Sequence, residues 1–251
     1  MDDDTDLGGS GRAFPATRGS VIAAAASDDP AVRRGGFEAL VRAYWKPVYK
    51  YLRIKWRASN EDAKDLTQGF FAVAFEKRWL DRYDAGRAKF RTYLRTCLDG
   101  FVANERKSAT RLKRGGDTEI LSLDFETAEG ELREHEVTDG TDLEMFFHRE
   151  WVRGLFAAGV ERLRERCRDA GKDVAFRLFE RYDLEGPEAG AKLTYAQLAA
   201  ELGLPVTQVT NHLFWARREL RAAVLEALRD LVGSDEEFRA EARALFGDVA
   251  S

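Results

Sequence analysis

Residues 193–220 read LTYAQLAAELGLPVTQVTNHLFWARREL, and the fold turns on this stretch. Thr194 has the chemistry of a helix cap, and Tyr195, Leu198, Ala199 and Leu202 follow at helical spacing. Gly203 suits a left-handed turn position, where a Cβ would clash, and Pro205 suits the first turn of the next helix. Val206, Val209, Leu213, Ala216 and Leu220 then fall in one narrow apolar stripe. Gln208, Asn211, Trp215 and Arg218 lie on the opposite face, with Thr207 and Phe214 at its margin. The pattern predicts a helix-turn-helix whose second helix is anchored on one side and offers donors and flat groups on the other. Such a face suits the major groove, where Asn and Gln match adenine edges and Arg matches guanine or phosphate. The same Leu-Gly-Leu-Pro joint also suits two antiparallel helices of a bundle.

Upstream, charge is segregated. The 251 residues carry a net charge of −4. Within them, 87–114 holds nine basic residues against two acids, and 115–150 holds twelve acids against two basic residues. The basic part, FRTYLRTCLDGFVANERKSATRLKR at 90–114, reads as a long helix from about Lys89 to Lys113, closed by Gly115 and Gly116. It interleaves Phe90, Tyr93 and Phe101 with Arg and Lys, the combination that unstacked bases and their backbone need. Those aromatics equally suit a core. Residues 115–141 show no sustained periodicity and read as an acidic linker, either an inert tether or a mimic of nucleic acid in a basic channel.

Further helices are expected from Ser20 to Asp28, from Phe37 to Lys55 with Pro47 as an interruption, from Ser59 or Asn60 to Trp79, from Asp142 onward, and from Lys172 to Tyr182. No strand is expected. The fold class is all-α, with two helical domains, 20–114 and 142–231. A weakly ordered tail is expected at 1–19, and a helical tail at 232–251. Apolar residues are 44% and charged residues 33% of the chain, and no run approaches the ~20 apolar residues of a membrane span. With no secretory signal and only Cys97 and Cys167, a cytoplasmic protein is expected. The three histidines form no metal-ligand pair, and no cofactor is expected. GPEAGAK at 186–192 is one residue short of a phosphate loop and lacks its Gly-Lys pair. No catalytic set emerges, so a non-enzyme is expected.

The order of these parts resembles the extracytoplasmic-function sigma factors of bacterial RNA polymerase. YLRIKWRASNEDAKDLTQGFFAVAFEKRWLDRYDAGRAKFRTYLRTCLDGFVANERKSATRLKRGG is similar to sigma region two, and 193–220 to sigma region four. The opening FPATRGSVIAAAASDDPAVRRGGFEALVRAYWKPVYKYL and the closing DEEFRAEARALFG resemble one subgroup. The resemblance implies docking on the beta-prime coiled coil of core polymerase through Asp65, Leu66, Gln68 and Phe71. It implies capture of the minus-ten strand by Phe101, Asn104, Arg106, Lys107, Arg111, Lys113 and Arg114. It implies a region four seated on the beta flap, reading the minus-thirty-five element of promoter DNA with Thr207, Gln208, Thr210, Asn211, Phe214, Trp215 and Arg218.

Departures from the pattern bear on each role. Lys64 and Gly69 replace acids of the docking motif. Thr210, His212 and Trp215 stand where Lys or Arg is frequent, and Gly100 where a polar side chain is common. Thr67 is a candidate phosphorylation site, since a phosphate there would return negative charge to the docking helix. A Ser/Thr kinase is then an expected partner, as an alternative to an anti-sigma protein. A stand-alone helix-turn-helix regulator and a protein-only helical adaptor are the rival readings.

Overall fold

The computed structural model describes residues 20–108, 123–133, 142–185 and 193–247. Among them are ten α-helices and no strand. They are α1 (Val21–Ala25), α2 (Pro30–Lys55), α3 (Asn60–Glu76), α4 (Phe90–Ser108), α5 (Phe125–Arg133), α6 (Leu143–Asp169), α7 (Asp173–Phe179), α8 (Tyr195–Leu202), α9 (Val206–Leu231) and α10 (Asp235–Phe246).

Local chemistry sets most boundaries. Ser59 accepts from the Asp62 amide and opens α3, with Glu61 and Asp62 in the first turn. Asp142 accepts from the amides of Glu144 and Met145 and opens α6. Thr194 and Gln197 form a reciprocal capping box on α8, and Gly203 ends it at φ 64. Pro205 sits at the N-cap of α9, one position before the first turn expected for it.

Several boundaries differ from expectation: α1, α3 and α7 end three residues early, at Ala25, Glu76 and Phe179. α2 begins at Pro30, ahead of Phe37, because Asp29 accepts from the amides of Ala31 and Val32 and Pro30 occupies the first helical position. α2 also continues through Pro47. Inside the acidic segment, 125–133 is helical, capped by Asp124, which accepts from the Thr127 amide at 3.1 Å.

Two apolar cores form. The first collects α1 to α5 around Tyr44, Val48, Tyr51, Leu52, Phe70, Phe90 and Leu98, and α10 closes over it with Ala242. The second collects α7 and α8 around Leu178, Phe179 and Leu198. The cores do not part at the acidic segment. α6 gives Phe147, Trp151 and Leu155 to the first and Leu163 and Cys167 to the second. α9 gives Val209, Leu213 and Ala216 to the second and Val224, Ala227 and Leu228 to the first. The two helices cross at Gly159, where a Cβ would run into Val224 and lie 3.5 Å from Leu220 Cδ1.

Adjacent glycines of α2 give a paired test. A Cβ at Gly36 would strike the backbone of Ala24 and Ala25 in α1, whereas one at Gly35 meets nothing within 4 Å. Gly36→Ala should therefore destabilise by about 1–3 kcal/mol through overpacking. Gly35→Ala should stabilise by about 0.5–1 kcal/mol through helix propensity. Urea denaturation of both variants checks the opposite signs.

Candidate nucleic-acid and protein interfaces

α9 presents the first candidate surface. Thr207, Gln208, Thr210, Asn211, Phe214 and Arg218 are exposed, and Val209, Leu213 and Ala216 on the reverse are fully buried. Phe214 is 69% exposed, the most open of the exposed large apolar side chains among the described residues. The structure corrects two expectations here. Val206, placed in the apolar stripe by periodicity, is 46% exposed because it precedes the part of α9 that α6 and α7 cover. Trp215 is half-buried against the second core, with Lys172 Nζ 4.5 Å over its ring, so it flanks the open face rather than forming it. Thr210 Oγ1 donates to the Val206 carbonyl at 3.1 Å, and Arg218 pairs with Glu219 at 3.1 Å.

α3 presents the second. Asp65 and Gln68 are exposed, and Leu66 is half-buried against the first core. Phe71, expected at an interface, is 3% exposed and packs edge-on against Phe37 and Phe70. Thr67 is fully buried, and its hydroxyl donates to the Ala63 carbonyl at 2.7 Å. A kinase cannot reach that oxygen in the folded chain, so the expected phosphorylation at Thr67 is withdrawn. Lys64 pairs with Glu61 at 3.0 Å instead of awaiting a phosphate. Gly69 faces α4, with Phe101 Cζ 3.4 Å from the position of a Cβ, an ordinary contact that does not itself demand a glycine. Sequence reasoning missed Glu61 and Glu76, which are exposed and share the face of Asp65 and Gln68. Their spacing at i, i+4, i+7 and i+15 was the available signal.

α4 is less open than its composition suggested. Phe101 is 8% exposed and packs against Phe70 and Trp79, and Phe90 is fully buried. Both aromatics therefore belong to the core and not to a base-stacking surface. Lys89 and Arg91 are bound to Glu241 of α10 at 2.5 and 2.7 Å, and Arg95 to Glu144 at 3.1 Å. Asn104, Arg106 and Lys107 remain on the surface. Arg106 stacks 4.7 Å over Trp56 and donates to its carbonyl, an aromatic–cation pair the sequence reading did not single out. Arg111, Lys113 and Arg114 lie outside the described residues, as do the 1–19 tail and the 186–192 loop.

The acidic helix α5 lies on α2. Glu129 accepts two hydrogen bonds from Arg53, at 2.7 and 3.0 Å, and one from the Tyr49 hydroxyl at 2.6 Å. Glu131 accepts from Lys46 and Lys50, each at 2.7 Å. Lys50, 1% exposed, also reaches Glu150 at 2.5 Å. Among the described residues no group of three or more His, Cys, Asp or Glu side chains could hold a metal, and no helix is long and apolar enough to cross a membrane. No family model, curated protein or solved structure matches the chain.

The hydrogen bonds from Arg53, aided by Tyr49 and opposed by burial, lower the Glu129 carboxyl from 4.5 to about 2. Burial opposes but does not outweigh His148, Lys89 and Arg91, which hold Glu241 well below the usual carboxylate range. Both acids titrate below their unfolded value, so their stabilisation is full above about pH 4.5 and is lost as the pH falls toward 2. The urea midpoint should drop through that window. Glu129→Gln should lower the midpoint at pH 7 and make the acid limb shallower.

Proposed function

We propose that the chain is a sigma factor of the extracytoplasmic-function type, which binds core RNA polymerase and directs promoter-specific initiation without catalysing a reaction itself. The observation that carries this reading is α9: a buried stripe holds it in place while Thr207, Gln208, Asn211, Phe214 and Arg218 stand open. In this reading α8, Gly203 and α9 are a helix-turn-helix, and α9 enters the major groove at the minus-thirty-five element. In this reading the helices within 20–108 engage the beta-prime coiled coil and the minus-ten strand and those within 142–231 the beta flap, while α6 and α9 tie the two sets together through both cores.

The exposed acids of α3 support the docking role. Glu61, Asp65 and Glu76 with Gln68 give a negative face that suits a basic partner. Minus-ten capture rests on Asn104, Arg106 and Lys107, with Arg111, Lys113 and Arg114 following in sequence. The four arginines of α9 are engaged within the chain, Arg217 with Asp183, Arg218 with Glu219, Arg221 over Phe246 and Arg229 with Asp235, so base edges and the Phe214 ring carry more of its recognition than phosphates do. With Thr67 buried, an anti-sigma protein is the regulatory partner this reading retains.

Gel filtration with core polymerase, with and without promoter DNA, separates the readings. A sigma factor co-elutes with core in the absence of DNA. A stand-alone regulator binds duplex DNA without core, and an adaptor supports no promoter-dependent transcription. Asp65→Arg should weaken core binding about tenfold or more while leaving the urea midpoint unchanged. Asn211→Ala should cost ~1–3 kcal/mol at one base pair of the minus-thirty-five element. Phe214→Ala should lower promoter-dependent transcription with no loss of stability. Promoter profiles unchanged in both α9 variants would remove the α9 face as the reader.

A further inference from the structure

The face of α2 beneath α5 has the makings of a nucleic-acid surface. Trp45, Lys46, Tyr49, Lys50 and Arg53 recur at i, i+1, i+4, i+5 and i+8, so they share one stripe of the helix. Trp56 continues that stripe, and Arg106 of α4 stacks on it at 4.7 Å. Aromatic rings alternating with cations along one line are what a single strand binds, bases on the rings and phosphates on the cations.

α5 occupies this stripe with the complementary chemistry. The Phe125 ring sits 5.3 Å from Trp45, edge-on, and 5.2 Å from Tyr49. Glu129 takes Arg53 and Tyr49, and Glu131 takes Lys46 and Lys50. A flat ring followed by two carboxylates repeats the ring-and-anion pattern of a short strand. α5 packs chiefly on α2, so its departure leaves the α6–α9 crossing intact.

We infer that the Trp45–Arg53 stripe of α2 is a binding site for single-stranded nucleic acid and that α5 is its internal competitor. Strand and helix bind the same groups, so a strand gains access by displacing α5, and weakening α5 raises affinity. When α5 leaves, Lys50 keeps Glu150 and Arg53 keeps its Nη1 bond to the Ala58 carbonyl, while Lys46 and the Nε and Nη2 of Arg53 become available to phosphates. The inference does not rest on promoter recognition, and its probe needs neither core polymerase nor duplex.

The test uses the full chain and a fluorescein-labelled oligo(dT). A Glu129→Gln/Glu131→Gln double variant should bind it about tenfold more tightly than the unaltered chain. The salt dependence should steepen by about 1.4 in log–log slope, the share of two phosphates on a single strand. Adding Lys46→Gln and Arg53→Gln to the double variant should abolish the gain. In the unaltered chain, millimolar oligo(dT) should speed hydrogen exchange at 125–133, and poly-L-glutamate of equal charge should not. Several results would overturn the inference: no tightening although 125–133 exchanges fast in the double variant; a gain that survives loss of Lys46 and Arg53; equal displacement by poly-L-glutamate. If the double variant does not fold, the unaltered chain decides alone, and unchanged exchange at 125–133 under oligo(dT) sinks the proposal.

Discussion

The close crossing of α6 and α9 at Gly159 is the constraint on which the rest of the structure depends. Only a residue without a Cβ lets the Val224 side chain come so near. That approach lets each of two long helices serve both apolar cores, one with each half. The pair therefore joins the two cores directly. A Cβ at 159 would meet Val224 Cγ2, so that side chain or the local helix spacing would have to shift in a closely packed interior.

Charge is the second organising feature. The chain writes its cations and anions in separate blocks, and folding brings many of them together. Glu129 and Glu131 meet Lys46, Lys50 and Arg53; Glu144 meets Arg95; Glu241 meets Lys89 and Arg91. Lys89, Arg91 and Arg95 of the basic block are thus neutralised internally. Among the described residues of the expected surfaces, Asn104, Arg106 and Lys107 stay open at the end of α4, as do an acidic line on α3 and a face of α9 rich in amides, hydroxyls and Phe214.

Much of the helical framework was legible in the sequence, because its signals are short-ranged. Ser59, Asp142 and Thr194 each bond an amide two or three residues ahead, and Gly203 needs only its own backbone torsions. The same holds for the reverse of α9, where the spacing of Val209, Leu213 and Ala216 sufficed to name the buried side. The early start of α2 rests on an equally local signal, the Asp29–Pro30 cap.

The tertiary structure alone decided which residues of a helix face are open, since burial depends on partners far away in the chain. Phe71 and Phe101 carry no local mark separating an interface ring from a core ring; they became core because α2 and α3 close over them. Thr67 looked like a surface hydroxyl until α3 was seated with that side inward. Trp215 was drawn aside by Lys172, a neighbour 43 positions earlier in the chain. The acidic segment shows the limit most plainly: its composition fixed its charge, but only the fold gave Glu129 and Glu131 their cations on α2, about 80 residues back.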